Sequence, residues 1–365
     1  MLKHKQVAIT QLLDKLTRGA ALTLEGQLPW HDAIADEATG YRRKARIAVD
    51  FRKENAPKIG FRGKGSNQII DIDACPVLMP KLQALMVPLR ALCLQLSNTR
   101  AIGHIELLLG DEKNEEVYTD GRPLVVFRVT KSLSQQDRST LTDFAETHQC
   151  DLALELKNGG FEVLHGQSAN IEYALPRNVK LQAQASDFIQ VNPAVNRQMV
   201  NTALAWLDVN EDDRVLDLYC GLGNFSLPIA SIAEKVIGVE GVPEMVQRAS
   251  ENAHKNGITR SAFYCQNLDE ADALQKWQSE AINKVLLDPS RVGAKHVMPQ
   301  ITELKPEKIL YVSCNPATFG RDIASLIQDG DSKKQKAPYK LSKIAILDMF
   351  PYTAHTEIMA LFERR

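Results

Sequence analysis

Val215-Leu-Asp-Leu-Tyr-Cys-Gly-Leu-Gly-Asn-Phe225 is the stretch on which the fold turns. It reads as a buried strand, a glycine turn and the start of a helix. Gly221 and Gly223 remove Cβ atoms where a ligand must approach the backbone. Ser226 stands where a dinucleotide fingerprint needs its third glycine, so GxGxxG is not met, and the GxG alone equally suits a plain tight turn. The next strand ends in Gly238-Val-Glu240, nineteen residues after Gly221. A carboxylate at that place accepts hydrogen bonds from ribose hydroxyls. Later strands end close to Asn267 and in Asp288-Pro289. Core packing does not call for polar groups at the carboxyl ends of successive strands. The pattern fits an adenosine-bearing ligand without a pyrophosphate, which favours S-adenosylmethionine over NAD.

Outward from this stretch, short β-rich runs alternate with helical ones: 214–219, 235–240, 262–265, 284–288, 308–312, 340–347 and 356–362. This predicts a doubly wound, Rossmann-like α/β sheet of seven strands, mainly parallel. No helix separates the last two runs, so the sheet should close with an antiparallel hairpin. The catalytic domain is placed at 186–365, opened by a helix over 193–207. Residues 1–185 read as an α+β domain, mainly antiparallel. Its expected helices cover 5–18, 80–96 and 135–147, and its strands 41–51, 68–72, 104–109 and 123–129. The charged run 329–336 reads as a surface loop.

Lys308-Ile-Leu-Tyr-Val-Ser-Cys-Asn-Pro-Ala317 ends one of these strands abruptly. Pro316 stops the ladder, and Asn315, preceding a proline, is pushed away from helical angles. Cys314 therefore lies at the carboxyl end of a strand, the edge at which open α/β sheets bind ligands. A small buried core residue is the plainer account of a free cysteine. In Leu347-Asp-Met-Phe-Pro-Tyr-Thr-Ala-His-Thr-Glu357, His355 and Glu357 are two apart and share one face of a strand. Either can serve as a base near Cys314 if the closing hairpin lies beside its strand. The apolar run Ile358 to Phe362 implies that Glu357 sits at the mouth of a buried strand.

The chain has 365 residues, 44% hydrophobic and 24% charged, with a net charge of −1. These values are ordinary for a globular protein and do not advertise nucleic acid. No apolar run approaches a membrane span. The six cysteines are scattered without a CxxC pair, so neither a zinc site nor a disulfide framework is signalled, and a cytoplasmic location is the simplest. A monomer is the default. Charge is nonetheless local: 41–64 carries nine Lys/Arg against two acids. Arg42, Lys44 and Arg46 read as one wet face of a strand, with Arg43 beside them and Arg62 and Lys64 on a following turn. A solvated hairpin face accounts for the same charges about as well.

Gly238-Val-Glu240, Leu286-Leu-Asp-Pro289, Tyr311-Val-Ser-Cys-Asn-Pro-Ala-Thr318 and Asp348-Met-Phe-Pro-x-Thr-x-His-x-Glu357 occur in this order in the RNA uracil-C5 methyltransferases. The chain resembles that family, most nearly the branch acting on 23S ribosomal RNA. The likeness extends through Asp187-Phe-Ile-Gln-Val-Asn192 and Tyr41-Arg-Arg-Lys-Ala-Arg46 to near residue 5. The resemblance implies that Cys314 is the nucleophile and Glu357 the general base. It also implies that Gln190, Tyr219, Asn224, Glu240, Asn267 and Asp288, with Gly221, bind S-adenosyl-L-methionine. The implied partner is 23S ribosomal RNA, held by Arg42, Arg43, Lys44, Arg46, Arg62 and Lys64. The chemistry suits these residues: a thiolate adding at uracil C6 makes C5 nucleophilic, and a base then removes the C5 proton.

Members of that branch also carry a TRAM β-barrel and three cysteines before the position of residue 5. With a fourth, at the position of Cys75, those cysteines hold a [4Fe-4S] cluster. Neither the barrel nor the three partners stand in this chain, and one thiolate cannot hold a cubane, so no cluster is expected in it as written. Tyr352 stands where the family often has histidine. Three other readings remain: a transfer-RNA uracil-C5 methyltransferase, a cytosine-C5 enzyme, and a non-catalytic RNA-binding or ribosome assembly factor. The Cys75 context argues against the first, and Asp288-Pro289-Ser290, which lacks a thiol, against the second. Cys314 and Glu357 argue against the third.

Overall fold

The computed structural model describes residues 1–16, 28–52, 57–114, 117–327 and 337–365. Lys53 and Glu54 of the basic segment, and the expected loop 329–336, lie outside them. The chain forms two compact units. One comprises Glu37–Ala174 and Gln182–Pro193; the other comprises Met1–Asp36, Leu175–Leu181 and Ala194–Arg365.

Helix α1 spans Leu2–Leu16 and belongs to the second unit. The first unit is built on strands β1 (Lys44–Asp50), β2 (Lys58–Arg62) and β3 (Ile69–Asp71), helices α2 (Pro80–Gln83) and α3 (Met86–Gln95), and strands β4 (Ile102–Asn114) and β5 (Val117–Val129). Helix α4 (Gln135–Thr147) and strands β6 (Asp151–Glu155) and β7 (Phe161–His165) complete it. The strands make one seven-stranded sheet in the order β3-β2-β1-β4-β5-β6-β7. Every pairing is antiparallel except β5 with β6. Helix α4 supplies the crossover that a parallel pair needs. It starts where Ser134 accepts a hydrogen bond from the backbone N–H of Asp137 at 3.1 Å, a side-chain N-cap. Ile47, Ile105, Leu107, Val125 and Phe127 turn to one core with Leu82, Met86 and Leu89.

The wet basic face expected on β1 is not what the fold makes of it. Arg43 is 1% exposed. Its guanidinium pairs with Asp111 at 2.5 Å and lies 5.2 Å from the Tyr173 ring centroid. Lys44 donates to the carbonyls of Ala185 and Asp187, each at 2.6 Å. Arg46 keeps an exposed side chain, with its Nε donating to buried Glu106 at 2.5 Å. The face opposite the core is itself covered: Leu108 and Val126 are fully buried. A buried cation must find partners or lose its charge, and Arg43 and Lys44 have found theirs inside the unit. Arg43 is buried and Lys44 half-buried with its ammonium engaged; Arg46, Arg62 and Lys64 remain exposed and Arg42 half-buried.

Strands β8 (Asn170–Ala174) and β9 (Lys180–Gln184) follow where the chain passes between units. The second unit then runs α5 (Pro193–Leu207), β10 (Arg214–Leu218), α6 (Ser226–Ala230), β11 (Lys235–Glu240), α7 (Pro243–Lys255), β12 (Ser261–Cys265) and β13 (Lys284–Leu287). It ends with α8 (Met298–Leu304), β14 (Lys308–Ser313), α9 (Pro316–Ile327), β15 (Tyr339–Leu347) and β16 (Glu357–Arg364). The sheet order is β12-β11-β10-β13-β14-β16-β15. β10 to β14 are parallel, and β16 enters antiparallel between β14 and β15. This is the doubly wound, mainly parallel sheet with a closing hairpin read from the sequence.

Residues 1–36 depart from the expected division at 185/186, grouping with the C-terminal sheet. The reason is local packing. Helix α1 lies on α9 and β15. Trp30 and Ile34 then bridge to Ile344 and Leu347 in parallel register, with His31 N–H and Ile34 N–H donating to Ile344 and Ile346 carbonyls at 2.8 Å. The segment thereby covers the outer edge of β15, which an open sheet would leave unpaired.

Candidate active site

The order of winding reverses between β10 and β13, and the crevice outside the carboxyl ends of the strands opens there. Tyr219 follows β10 in the left-handed region, at φ 61°. Gly221 and Gly223 follow at φ 54° and 93°, where a side chain would be strained. From β11, the Glu240 carboxylate accepts from Gly221 N–H at 3.2 Å and from Gly241 and Val242 N–H at 2.8 and 3.1 Å. The glycine turn and the acidic strand end are thus fastened together. The Tyr219 hydroxyl is buried without a hydrogen-bond partner among the described residues. Burial and the charges of Asp269, Asp322 and Glu240 hold its pKa above the usual phenol value. Leaving such a hydroxyl unmet costs about 1–3 kcal/mol, which a polar ligand atom would recover.

The other expected donor-site residues differ in setting. Asn224 exchanges two amide hydrogen bonds with Asn196 of α5, at 2.9 and 3.0 Å, and so ties the turn before α6 to a neighbouring helix. Asn267 is exposed beyond β12, its side chain accepting from Asp269 N–H at 3.1 Å. Asp288 follows β13, its N–H donating to Leu218 O at 3.3 Å. Gln190 belongs to the other unit, where it is half-buried.

Cys314, Glu357 and Asp288 come together. In the β14–β16 ladder Ser313 is paired with Ile358. Cys314 is the next residue beyond β14 and Glu357 the first of β16, so the two stand at neighbouring strand ends. All three residues are half-buried, as a reactive group open to a ligand must be. Burial pushes the Glu357 carboxyl up to about 7, against the pull of the Lys5 charge. Burial, with Glu357 adding to it, pushes Asp288 up to about 8. The Cys314 thiol is raised by burial and by both carboxylates, and Arg291 opposes the rise. Cys314 also immediately precedes Asn315, whose side chain accepts from Ala317 N–H at 3.1 Å and caps α9. The positive end of that helix favours a thiolate.

Among the thiols, burial drives Cys93 up to about 12 and Cys150 up to about 11, and raises Cys220 as well. Such thiols are inert. His355, the alternative base, is exposed, its Nδ1 lying 3.4 Å from Arg291 Nη2. Glu357 therefore carries the geometry for a base facing Cys314. Tyr352 is 72% exposed, at φ 59°. Cys75, in the first unit, is half-buried, and its N–H donates to Gln83 Oε1 at 2.5 Å. Among the described residues no group of three His, Cys, Asp or Glu side chains is placed to hold a metal ion.

Three charged residues of the site escaped the reading of the sequence. Arg291 follows the quoted Asp288-Pro289 by two residues and bears on Cys314. Asp322 of α9 accepts from Ala294 N–H and from the Tyr311 hydroxyl, each at 2.7 Å, and so fixes the 288–294 loop. Lys5 had a signal: among the described residues of α1, Lys5, Ile9 and Leu13 are buried, a helical stripe with a charge in it.

A family model described as tRNA (uracil-5-)-methyltransferase matches residues 9–365. A protein of Klebsiella pneumoniae subsp. pneumoniae named 23S rRNA (uracil(1939)-C(5))-methyltransferase RlmD is 42% identical over 364 residues, covering 100% of this chain and 78% of the relative. The protein of the same name from Edwardsiella ictaluri is 46% identical over 332 residues, covering 90% and 71%. Among solved structures, the Pyrococcus abyssi tRNA (uracil-54, C5)-methyltransferase in complex with S-adenosyl-L-homocysteine superposes with a TM-score of 0.70. It is 20% identical, with 99% of this chain and 83% of that one covered, a likeness of fold.

Proposed function

Since the chain belongs to the tRNA (uracil-5-)-methyltransferase family, we propose that it methylates C5 of a uridine in 23S ribosomal RNA, with Cys314 as nucleophile and Glu357 as base. The single observation that carries the assignment is that the β14–β16 ladder, ending at Ser313 paired with Ile358, brings Cys314 to the strand end beside Glu357, close enough to Glu357 and Asp288 to feel both charges. The relatives' shared name carries the choice of RNA.

The residues present fit the methyl donor of the family, S-adenosyl-L-methionine. Glu240 stands where a ribose is held, the turn at Gly221 and Gly223 leaves the backbone approachable, and the buried Tyr219 hydroxyl has no hydrogen-bond partner among the described residues. Asn224, Asn267 and Asp288 of the same unit complete the proposed set. When bound, the donor supplies an electrophilic methyl group to C5 of the ring. Cys314 acts by adding its thiolate to C6, which moves the ring's electrons to O4 and makes C5 nucleophilic. Arg291 and the N-terminus of α9 oppose the rise that burial, Glu357 and Asp288 impose on the thiol. Glu357 then takes the C5 proton, the C6–S bond breaks with its electrons returning to sulfur, and the double bond is restored. A carboxylate held near 7 suits a proton transfer at neutral pH. The uridine must leave its stack, at a cost of a few kcal/mol. Contacts from Arg42, Arg46, Arg62 and Lys64 to phosphates offset it. The six free thiols support a reducing, cytoplasmic setting.

Transcripts carrying 5-fluorouridine test the chemistry, because fluorine at C5 cannot be abstracted as a proton. With donor present the protein should accumulate a covalent RNA adduct, and Cys314→Ala should form none. Glu357→Gln should trap the same adduct on ordinary uridine. An adduct surviving Cys314→Ala overturns the nucleophile. Methylation of transfer RNA in preference to 23S ribosomal RNA would overturn the substrate and leave the chemistry standing.

A further inference from the structure

We propose that Lys5, on α1, is a positioning residue for the methyl-transfer reaction: it pins the loop that carries the base and supplies the positive charge that keeps Glu357 in its proton-accepting form. The inference rests on the reading of Glu357 as base given above.

Lys5 is 8% exposed and occupies the buried stripe of α1 with Ile9 and Leu13, where an apolar residue would serve packing better. A lysine there is costly unless its ammonium is met. It is met at both ends of one loop. Lys5 Nζ donates to Asp348 Oδ1 at 3.1 Å, directly after β15, and to the His355 carbonyl at 2.8 Å, two residues before Glu357. The ammonium thus spans the turn that delivers Glu357 to the pocket. The charges and titratable groups around Glu357 come from several elements. Asp288 stands just after β13, and Cys314 just after β14, itself under Arg291. Asp348 and His355 stand in the loop itself, and Lys5 on α1. Desolvation pushes toward a protonated Glu357, and Lys5 is the group whose charge pulls the other way. Asp348 anchors Lys5 while taking part of its charge.

The test is the pH dependence of single-turnover product release on a 23S ribosomal RNA transcript. Lys5→Gln keeps a donor for the loop and removes the charge; Lys5→Arg keeps both. Lys5→Met, apolar like the stripe it would join, takes the place of Lys5→Gln if that variant does not fold. The neutral variant should move the acid limb upward by about one pH unit. With the wild-type base at about 7, that lowers the ionised fraction at pH 7 about fivefold. Lys5→Arg should bring the limb back. Adduct formation on 5-fluorouridine RNA, which needs no base, should stay within about threefold in all variants. An unshifted limb in the neutral variant overturns the inference. So does an equal loss at every pH in both variants, which is the mark of a purely structural role. Absence of any adduct with the wild-type protein would instead overturn the reading of the site itself.

Discussion

Asp217 is 1% exposed, with one carboxylate oxygen accepting from the Ser226 hydroxyl and the other without a hydrogen-bond partner among the described residues. Burial pushes its pKa up to about 7, and the charges of Asp288 and Glu240 add to this. Its folded value therefore exceeds the unfolded one of 3.8, and the folded state binds the extra proton between them. The stability this group contributes is full below the unfolded value and lost as pH rises through about 7. Urea denaturation at pH 5 and pH 8.5 should show a lower midpoint at the higher pH. Asp217→Asn should narrow the difference, and an unchanged gap would show that the proton sits elsewhere. At this scale Cys314 and Glu357 were legible in the sequence because each stands at a strand end, where the break in apolar pattern announces it. The settings of Arg43 and Lys44 were not legible, because they are decided by distant partners, Asp111 and the carbonyls of Ala185 and Asp187. No local pattern records those contacts.

At the scale of elements, the 288–294 loop is the part that holds Asp288 and Arg291 against the Cys314 strand. Gly293 sits in it at φ 81°, and a Cβ there would lie 2.3 Å from Asp322 Oδ2. Gly293→Ala therefore meets both backbone strain and a clash with the carboxylate that fixes the loop, together about 1–3 kcal/mol. Methyl transfer should fall about tenfold or more while adduct-independent measures, such as the far-ultraviolet dichroism spectrum, stay as in the wild type. Full activity would show that the loop's exact course does not matter. The strands and helices of this unit were readable from periodicity, down to the antiparallel closure by β15 and β16. The docking of α1 was not, because its stripe says that it packs and not against what. The packing of α1 on α9 and β15 shows the destination, and the bridges of Trp30 and Ile34 to β15 extend it.

Over the whole molecule, a net charge of −1 leaves RNA binding to local cations. With Arg43 and Lys44 engaged inside, the proposed surface narrows to Arg42, Arg46, Arg62 and Lys64. Replacing Arg46, Arg62 and Lys64 by alanine should weaken binding to a 23S ribosomal RNA transcript and flatten its salt dependence, by up to about one unit of slope for each phosphate left without its cation. Filter binding across a salt series measures both, and an unchanged slope would move the interface elsewhere. One consequence of the discontinuous second unit concerns synthesis. Lys5 and the His355 carbonyl it holds are 350 residues apart in the chain. The helix bearing the lysine leaves the ribosome long before α9 and β15, on which it packs, have been translated. A chain interrupted between α9 and that last strand would carry its thiol without the proposed proton acceptor, and would also lack the strand that joins β14 to β15.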